Sequence, residues 1–476
     1  MAEDSAHLAC GCRSLIAAIV ALSGLSACAT RPALDAAPGV PAAFEHSAAA
    51  TEAPAVASRW YEGFGSKELV GLVDAASSDN ADLAAATARV EQAAARARVA
   101  HALLLPQLDA TANANRYSGH SGGTSATETD WSAQLVATYE VDFWGRNRAL
   151  GRAAGAQLRA SAADRDTVKL TVQAAVAFSY FEVLSLRERL AIARSNLDAA
   201  REVLAVTEAR FKAGAASATD LALQRSAVAT AEVAIPDLQQ QEVAARGALA
   251  VLDGRDPEGF EVAAAGLEQV TAIPISPGLP ATLLTRRPDL ASAEASLAAA
   301  RADVAAARAA LFPTLTLTGS GGVQNPAVQA AVTTLEGTGP GLVLGATLVQ
   351  SIFSGGARRA ARAEAQARES ELLATYRGAI RNALLDVETA LSANEHFNAQ
   401  FKLYAQAVEQ STQAAEGAQL RYRAGSGDYL TLLEAQKSLY AVRDAQAQFQ
   451  LARLQSVVSL AKALGGGWEA TPPAQR

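Results

Sequence analysis

Residues 172–211 read VQAAVAFSYFEVLSLRERLAIARSNLDAAREVLAVTEARF, and this stretch decides the fold. Val172, Val176, Ser179, Val183, Leu186, Leu190, Ala193, Leu197, Ala200, Leu204, Thr207 and Phe211 follow one another at alternating spacings of four and three, which is a coiled-coil seam. Helical periodicity already begins after Gly145 and lasts some 65 residues, roughly 100 Å at 1.5 Å per residue. That far exceeds a bilayer of about 30 Å, and the stretch is too charged to lie in one. The helix therefore stands in water.

The same seam returns later as Tyr376, Ile380, Ala383, Val387, Ala390, Asn394, Phe397, Phe401, Tyr404, Val408, Ser411, Ala415, Ala418 and Tyr422. Around the two seams lies a duplication with a period of roughly 210 residues. Asn80-Ala-Asp82-Leu83 pairs with Arg287-Pro-Asp289-Leu290, and Leu103-Leu-Leu-Pro106 with Ala310-Leu-Phe-Pro313. Asp142-Phe-Trp-Gly145 answers Ile352-Phe-Ser-Gly355, and Phe211-Lys-Ala-Gly214 answers Tyr422-Arg-Ala-Gly425. Each half is predicted to run helix, strand pair, very long helix, return helix. The return helices span Leu221 to about Leu252, interrupted by Pro236, and Leu430 to Leu464, with Leu430, Leu433, Tyr440, Ala447, Leu451, Leu454, Val458 and Ala461 on the second seam. A plain helical bundle explains any one stripe; two copies of the same pair attached to strand hairpins tell against it.

The strand signal is period two. After Pro106 a polar alternating stretch reaches Tyr117, a Gly/Ser/Thr-rich connection covers Ser118 to Thr129, and Trp131, Ala133, Leu135, Ala137, Tyr139, Val141 and Phe143 then alternate. In the second half Leu315 and Leu317 run towards Gly319, and Leu342, Leu344, Ala346 and Leu348 resume the pattern. Four strands per chain suit a tilted membrane barrel in length, but lipid tolerates no open sheet edge and the smallest outer-membrane barrels have about eight strands. Either several copies share one barrel, with Phe143, Trp144 and Phe353 as interface aromatics where the strands end, or the strands form a small soluble sheet.

The N-terminus carries a short apolar core from Leu15 to Leu25 that ends in Leu25-Ser26-Ala27-Cys28, too short to span a bilayer and suited to a signal peptide. Cys28 in that setting reads as the lipidated first residue of the mature chain; ordinary cleavage after Ala27 is the alternative. Glu3 and Asp4 stand where a basic start is expected, so translation starting further downstream is compatible with the same site. All three cysteines, Cys10, Cys12 and Cys28, lie at or before it, which leaves the mature body no disulfide or thiolate cluster. With half its residues hydrophobic, 5% aromatic and a net charge of −7, the chain has the composition of a long-helix protein and no basic patch for nucleic acid.

Tyr139-Glu-Val-Asp-Phe-Trp-Gly-Arg146, Thr285-Arg-Arg-Pro-Asp-Leu290, Leu348-Val-Gln-Ser-Ile-Phe-Ser-Gly-Gly356 and Tyr422-Arg-Ala-Gly-Ser-Gly-Asp-Tyr-Leu-Thr-Leu-Leu-Glu-Ala-Gln436 resemble the outer-membrane factor family, the TolC-like channels. Lys462-Ala-Leu-Gly-Gly-Gly-Trp468 and the lipobox are similar to its OprM/NodT lipoprotein branch. The resemblance implies a mostly α chain with a membrane β-barrel contribution: a homotrimer with a twelve-stranded outer-membrane barrel above a periplasmic α-barrel. It implies a periplasmic adaptor and an inner-membrane transporter of the resistance-nodulation-division (RND) type as partners, outer-membrane lipid around the barrel, and passive conduction of small molecules such as drugs or toxic compounds. An ATP-driven (type I) protein or peptide secretion system is the alternative user of such a duct. The expected organisation is a signal peptide over 1–27, a lipid-anchored segment over 28–64, a first repeat over 65–253, an inter-repeat segment over 254–285, a second repeat over 286–465 and a tail over 466–476. Residues 254–285 and the segments flanking Cys28 and Trp468 would belt the middle of the tunnel.

The same resemblance maps a selectivity ring onto Asp220 and Glu434 and a gate tyrosine onto Tyr422, in turns after the two aromatic-x-x-Gly motifs. A carboxylate ring at a constriction favours cations. Thr431 and Gly427 stand where some relatives carry an acid and a basic partner. Asp220 has a second reading, because Ser217-Ala-Thr-Asp220 fits a capping box, and Asp428 reads equally as the cap of the second turn. Arg286-Arg287-Pro288-Asp289 reads as a helix start and not a ligand clamp. His7, His46, His101, His120 and His396 are scattered, no catalytic motif occurs, and no convergent site for an enzyme is visible. A coiled-coil scaffold without a pore would leave the strands, lipobox and duplication unexplained.

Overall fold

The structure is a computed structural model that divides into residues 1–40 and 41–476. It describes residues 41–46, 56–121, 124–275, 278, 280–324 and 341–469; the signal segment and Cys28 lie outside them. A 3-10 turn over Trp60–Phe64 and helix α1 (Lys67–Asp79) lead into the first repeat. That repeat comprises α2 (Ala81–Ala102), β1 (Gln107–Ser121), β2 (Thr124–Val141), α3 (Arg146–Lys212) and α4 (Ala218–Leu252). After a short helix α5 (Leu283–Arg286) the second repeat follows as α6 (Pro288–Ala309), β3 (Thr314–Gln324), β4 (Gly341–Val349), α7 (Ala357–Arg423) and α8 (Tyr429–Ala463). Paired helices match in length: 22 residues for α2 and α6, 67 for α3 and α7, 35 for α4 and α8.

Equivalent helices start by different chemistry. Asn80 caps α2, accepting from the Asp82 and Leu83 N–H groups at 3.0 and 3.1 Å, while its amide donates to the Leu252 carbonyl at 2.9 Å. Its counterpart Arg287 makes no cap; Pro288 at the first position has no N–H to satisfy, as such a start allows. The Arg287 guanidinium grips Asp289 with bonds of 3.0 and 2.7 Å and reaches Asp386 at 3.1 Å, so the Arg286–Asp289 stretch is structural.

The α3 seam is buried or half-buried from Val172 to Thr207. It packs on α4 in one direction and on α8 in another, while the first half of α3 lies against α2 and α6. Alanine dominates these contacts, which brings the helices close and favours helix intrinsically. Three expectations change. Phe211 is exposed, because the seam ends one turn before the helix does. Leu430 is also exposed while its neighbours Tyr429 and Leu432 are buried; the turn into α8 sets the phase of its first turn. Helix α4 runs unbroken through Pro236. Proline there removes one ladder bond, but Ile235 beside it packs against the α3–α4 core, and that packing holds the helix across the gap.

The largest core sits where the Trp60–Phe64 turn, α1, the middle of α3 and the ends of α4 and α8 meet, around Phe64, Leu69, Phe181, Leu184, Leu249 and Val458. The segment after α4 closes it with Phe260, Val262 and Leu267. At the far end, the four strands form one antiparallel sheet in the order β1-β2-β3-β4. The Gly/Ser/Thr-rich stretch expected to be a connection is mostly strand: the β1–β2 ladder continues to Ser121 opposite Thr124. In an antiparallel hairpin the ladder bonds come from the backbone, so weak strand formers extend it once its base is fixed.

Candidate functional site

Both long helices end at the same kind of turn. Gly214 and Gly425 adopt φ of +75° and +80°, where a side chain would be strained. The Ala215 N–H reaches the Arg210 carbonyl at 2.8 Å and the Ser426 N–H reaches that of Arg421 at 3.0 Å, closing each helix end. The α3–α4 tip and the α7–α8 tip are then tied to each other. Tyr422, only 3% exposed, sets its hydroxyl 3.1 Å from that of Thr207. Arg210 donates to the Tyr422 carbonyl at 2.8 Å and lies over the Tyr422 ring, 4.6 Å from its centroid. Tyr429 donates at 2.9 Å to Gln224, whose amide donates to the Ala200 carbonyl at 2.7 Å. An exposed pair, Arg423 to Glu202 at 3.1 Å, completes the tie.

Burial, then the neighbouring Tyr422 and Asp220, push the Tyr429 hydroxyl up to about 12, so it stays a neutral donor at physiological pH. Asp220 sits in a complete capping box: it accepts from the Ser217 N–H at 3.0 Å while its own N–H donates to the Ser217 hydroxyl at 3.0 Å. Asp428 likewise accepts from the Thr431 N–H at 3.1 Å. Glu434 is exposed and paired with Lys437 at 3.3 Å. At Gly427 a Cβ would meet the Tyr422 nitrogen at 2.8 Å and the Arg421 carbonyl carbon at 2.9 Å, so this turn has no room for a side chain there.

At the opposite end, register sorts the sheet into two faces. Leu108, Leu135, Gly321 and Leu342 belong to one face with Trp131, Tyr139, Leu317, Leu344 and Leu348, because the register sets even positions of β1 and β4 against odd positions of β2 and β3, as in Leu135–Gly321–Leu342 and Leu108–Ala137–Gly319–Leu344. The other face pairs Asn113 with Ser132, Gln134 with Gly322, Thr138 with Thr318 and Thr316 with Thr347. None of the described residues covers the apolar face: Leu344 is 77% exposed and Leu108, Leu342 and Leu348 are similarly open. The β1 and β4 edges are unpaired among the described residues. Gly322 lies so close to the Ala133 carbonyl and Gln134 that a Cβ would collide, so its glycine brings β3 tight onto β2.

A family model described as outer membrane efflux protein matches residues 72–255 and 279–466. This chain belongs to the outer membrane efflux protein family. It is 44% identical over 455 residues, 94% of this chain and 95% of the relative, to the pyoverdine export outer membrane protein OpmQ of Pseudomonas aeruginosa. It is also 32% identical to the outer membrane protein OprJ of the same species, across 95% of both chains. Among solved structures it resembles the outer-membrane channel OprN, with a TM-score of 0.83 and 28% identity over 91% of this chain and 98% of that one. The open state of the MtrE outer membrane channel of Neisseria gonorrhoeae gives 0.80 and 29% over 90% and 96%. The family resemblance carried by the motifs holds. The chain is an outer-membrane efflux channel whose long helices build a periplasmic tunnel and whose four strands contribute to a shared barrel.

Within this efflux-family fold the aromatics Phe143, Trp144 and Phe353 lie just past the strand ends. Trp144 stacks on Phe312 at 4.5 Å and donates to the Pro313 carbonyl at 2.8 Å, whereas Phe353 is 89% exposed. Of the residues mapped onto a gate, Tyr422 is at the centre of the tie between the tips. Asp220 and Asp428 are engaged in caps, and Glu434 is outside the tie. Sequence reading missed Arg210, Gln224 and Tyr429. Thr207 and Gln224 were detectable as polar residues at helix positions that geometry buries, but their partners lie on another helix pair.

Proposed function

We propose that this chain is the exit duct of a tripartite efflux system. Three copies give twelve strands, comfortably above the roughly eight of the smallest outer-membrane barrels, and closing the barrel removes the β1 and β4 edges that lipid would not tolerate. Cys28 carries the lipid anchor, and Phe143, Trp144 and Phe353 lie at the membrane interface. The tips of α3–α4 and α7–α8 form the periplasmic constriction, which a periplasmic adaptor engages so that an inner-membrane RND transporter delivers small molecules for passive conduction. The observation that carries this reading is the uncovered apolar face of a register-consistent sheet mounted on two helices of roughly 100 Å.

The closed state rests on the tie between the tips, with Tyr422 as its anchor, while Asp220, Asp428 and Glu434 supply negative charge near the constriction. The pyoverdine-export name of OpmQ supports pyoverdine-like compounds as cargo beside drugs and other toxic molecules. The test is to cross-link the protein in cells, purify it, and identify the inner-membrane partner by mass spectrometry. A proton-driven transporter with its adaptor is the expected recovery; an ATP-driven exporter would move the reading to secretion, and no partner would leave a plain pore.

A further inference from the structure

Both long helices begin in a way that helix physics does not ask for. Neither α3 nor α7 has an acidic residue in its first turn, although the positive end of the helix dipole favours acids there. Arginines stand there and in the following turn: Arg146, Arg148 and Arg152 on α3, and Arg358, Arg359 and Arg362 on α7. Three of the six have local work. Arg146 pairs with Glu140 at 3.4 Å and Arg148 with Asp142 at 3.0 Å, while Arg358 donates to the Ala310 carbonyl at 2.8 Å. Arg152, Arg359 and Arg362 are exposed and have no ion-pair or hydrogen-bond partner among the described residues. Arg359 and Arg362 lie one turn apart on α7, off the face through Ala361, Ala365 and Arg368 that meets α6.

Immediately before each cluster come large exposed apolar side chains, Phe143 and Trp144 before α3 and Ile352 and Phe353 before α7, the latter two 91% and 89% exposed. Before those lie the strands with their uncovered apolar face. At 1.5 Å per residue, Arg152 and Arg362 stand roughly 8–9 Å along their helices from the start. The order along the molecule is therefore apolar sheet, aromatic tier, unpaired guanidinium groups, and it occurs once per repeat. A bilayer presents the complementary order: acyl chains, the interfacial zone where the aromatic girdles of barrels sit, then phosphate. The chain as a whole carries a net charge of −7, so the positive tier is local and runs against the general composition.

We infer that Arg152, Arg359 and Arg362 form a collar that binds the phosphates of anionic phospholipids in the periplasm-facing leaflet. The inference rests on the reading of the sheet as the membrane barrel. It accounts for exposed arginines that neutralise no carboxylate among the described residues. Clusters of basic side chains at a membrane surface favour anionic lipid by electrostatics that salt screens.

The test uses the full-length protein in phosphatidylcholine vesicles that carry a trace of spin-labelled phosphatidylglycerol or, in parallel, spin-labelled phosphatidylcholine. The motionally restricted fraction of each label gives a relative association constant for the protein surface. The wild type is expected to prefer phosphatidylglycerol by roughly threefold or more. The preference should fall to near unity in the Arg152→Gln, Arg359→Gln, Arg362→Gln variant, and in wild type at about 1 M salt, where the Debye length is ~3 Å. The salt arm needs no variant to fold, and lysine at the same three positions should retain most of the preference. Restricted lipid without any preference in wild type, or a preference that survives both salt and substitution, would overturn the collar while leaving the barrel in the membrane. No restricted lipid of either kind would overturn the membrane reading of the sheet, and the collar with it.

Discussion

Arg210 should be the side chain whose loss most loosens the periplasmic tip, more than loss of the Tyr422 hydroxyl, which pairs with Thr207. Arg210→Ala removes a charge-assisted bond to the Tyr422 carbonyl, about 1.5–3 kcal/mol, and a cation–π contact of about 0.5–1 kcal/mol. Together these are about 2–4 kcal/mol, roughly thirtyfold to several-hundredfold in the ratio of closed to open tips. Tyr422→Phe removes one neutral hydrogen bond, about 1 kcal/mol or fivefold, because Thr207 still donates to the Val203 carbonyl at 2.8 Å and is not orphaned. Glu202→Gln touches only an exposed pair and should change the ratio little. Single-channel recording in planar bilayers at neutral pH reads all three as open probability, in the order Arg210→Ala, Tyr422→Phe, Glu202→Gln. A Tyr422→Phe channel opening as readily as Arg210→Ala, or an Arg210→Ala channel indistinguishable from wild type, would refute the assignment of the closed state to this tie.

Asp220→Asn combined with Glu434→Gln should lower cation preference, read as a smaller reversal potential in a salt gradient; an unchanged potential would remove both from the conduction path. Asp220→Asn should in addition cost about 0.5–1 kcal/mol of tip stability through the weakened capping box, visible as faster hydrogen exchange at the start of α4. Leu135 and Gln134 are adjacent on β2 but on opposite faces, so Leu135→Arg should block barrel assembly, at about 2–4 kcal/mol per chain near the bilayer middle. Gln134→Arg should assemble and change only conductance. Burial pushes Tyr61, Tyr180 and Tyr429 up to about 12, above the ~10 of an unfolded chain. The native state therefore holds protons that the unfolded state has released, and thermal stability should be flat below pH ~10 and fall as the pH rises towards 12. Tyrosinate absorbance of the folded protein should show these hydroxyls ionising last.

Most of the fold is legible in the sequence because it is built from periodicities. Heptads fix which residues of α3 and α7 meet a partner, and alternation fixes which face of each strand is apolar. The unaided reading failed where a local rule was outweighed by neighbours: Pro236 suggested a break, yet the packing of Ile235 against α3 carries α4 past it. The glycines and serines of 118–129 suggested a loop, yet the backbone ladder needs no side-chain preference once the hairpin base is set. The site was legible only at Tyr422. The ties through Arg210, Gln224 and Tyr429 join helices of different repeats, with about two hundred residues between partners, and no spacing rule reaches that far. Asp220 and Asp428 show the converse case, acids whose most local reading, as helix caps, is the one their hydrogen bonds satisfy.

The equal lengths of α3 and α7, and of α4 and α8, make the chain a gauge with two legs. Removing one heptad from α3 alone would shorten that leg by roughly 10 Å, lifting Thr207 and Arg210 off Tyr422 even though every remaining seam contact kept its phase. A tolerated change of length has to be entered four times, on both strokes of both hairpins, and in whole heptads. Sequence drift can repaint the surface of such a molecule freely while its span stays locked, so the distance it bridges is inherited as a fixed dimension.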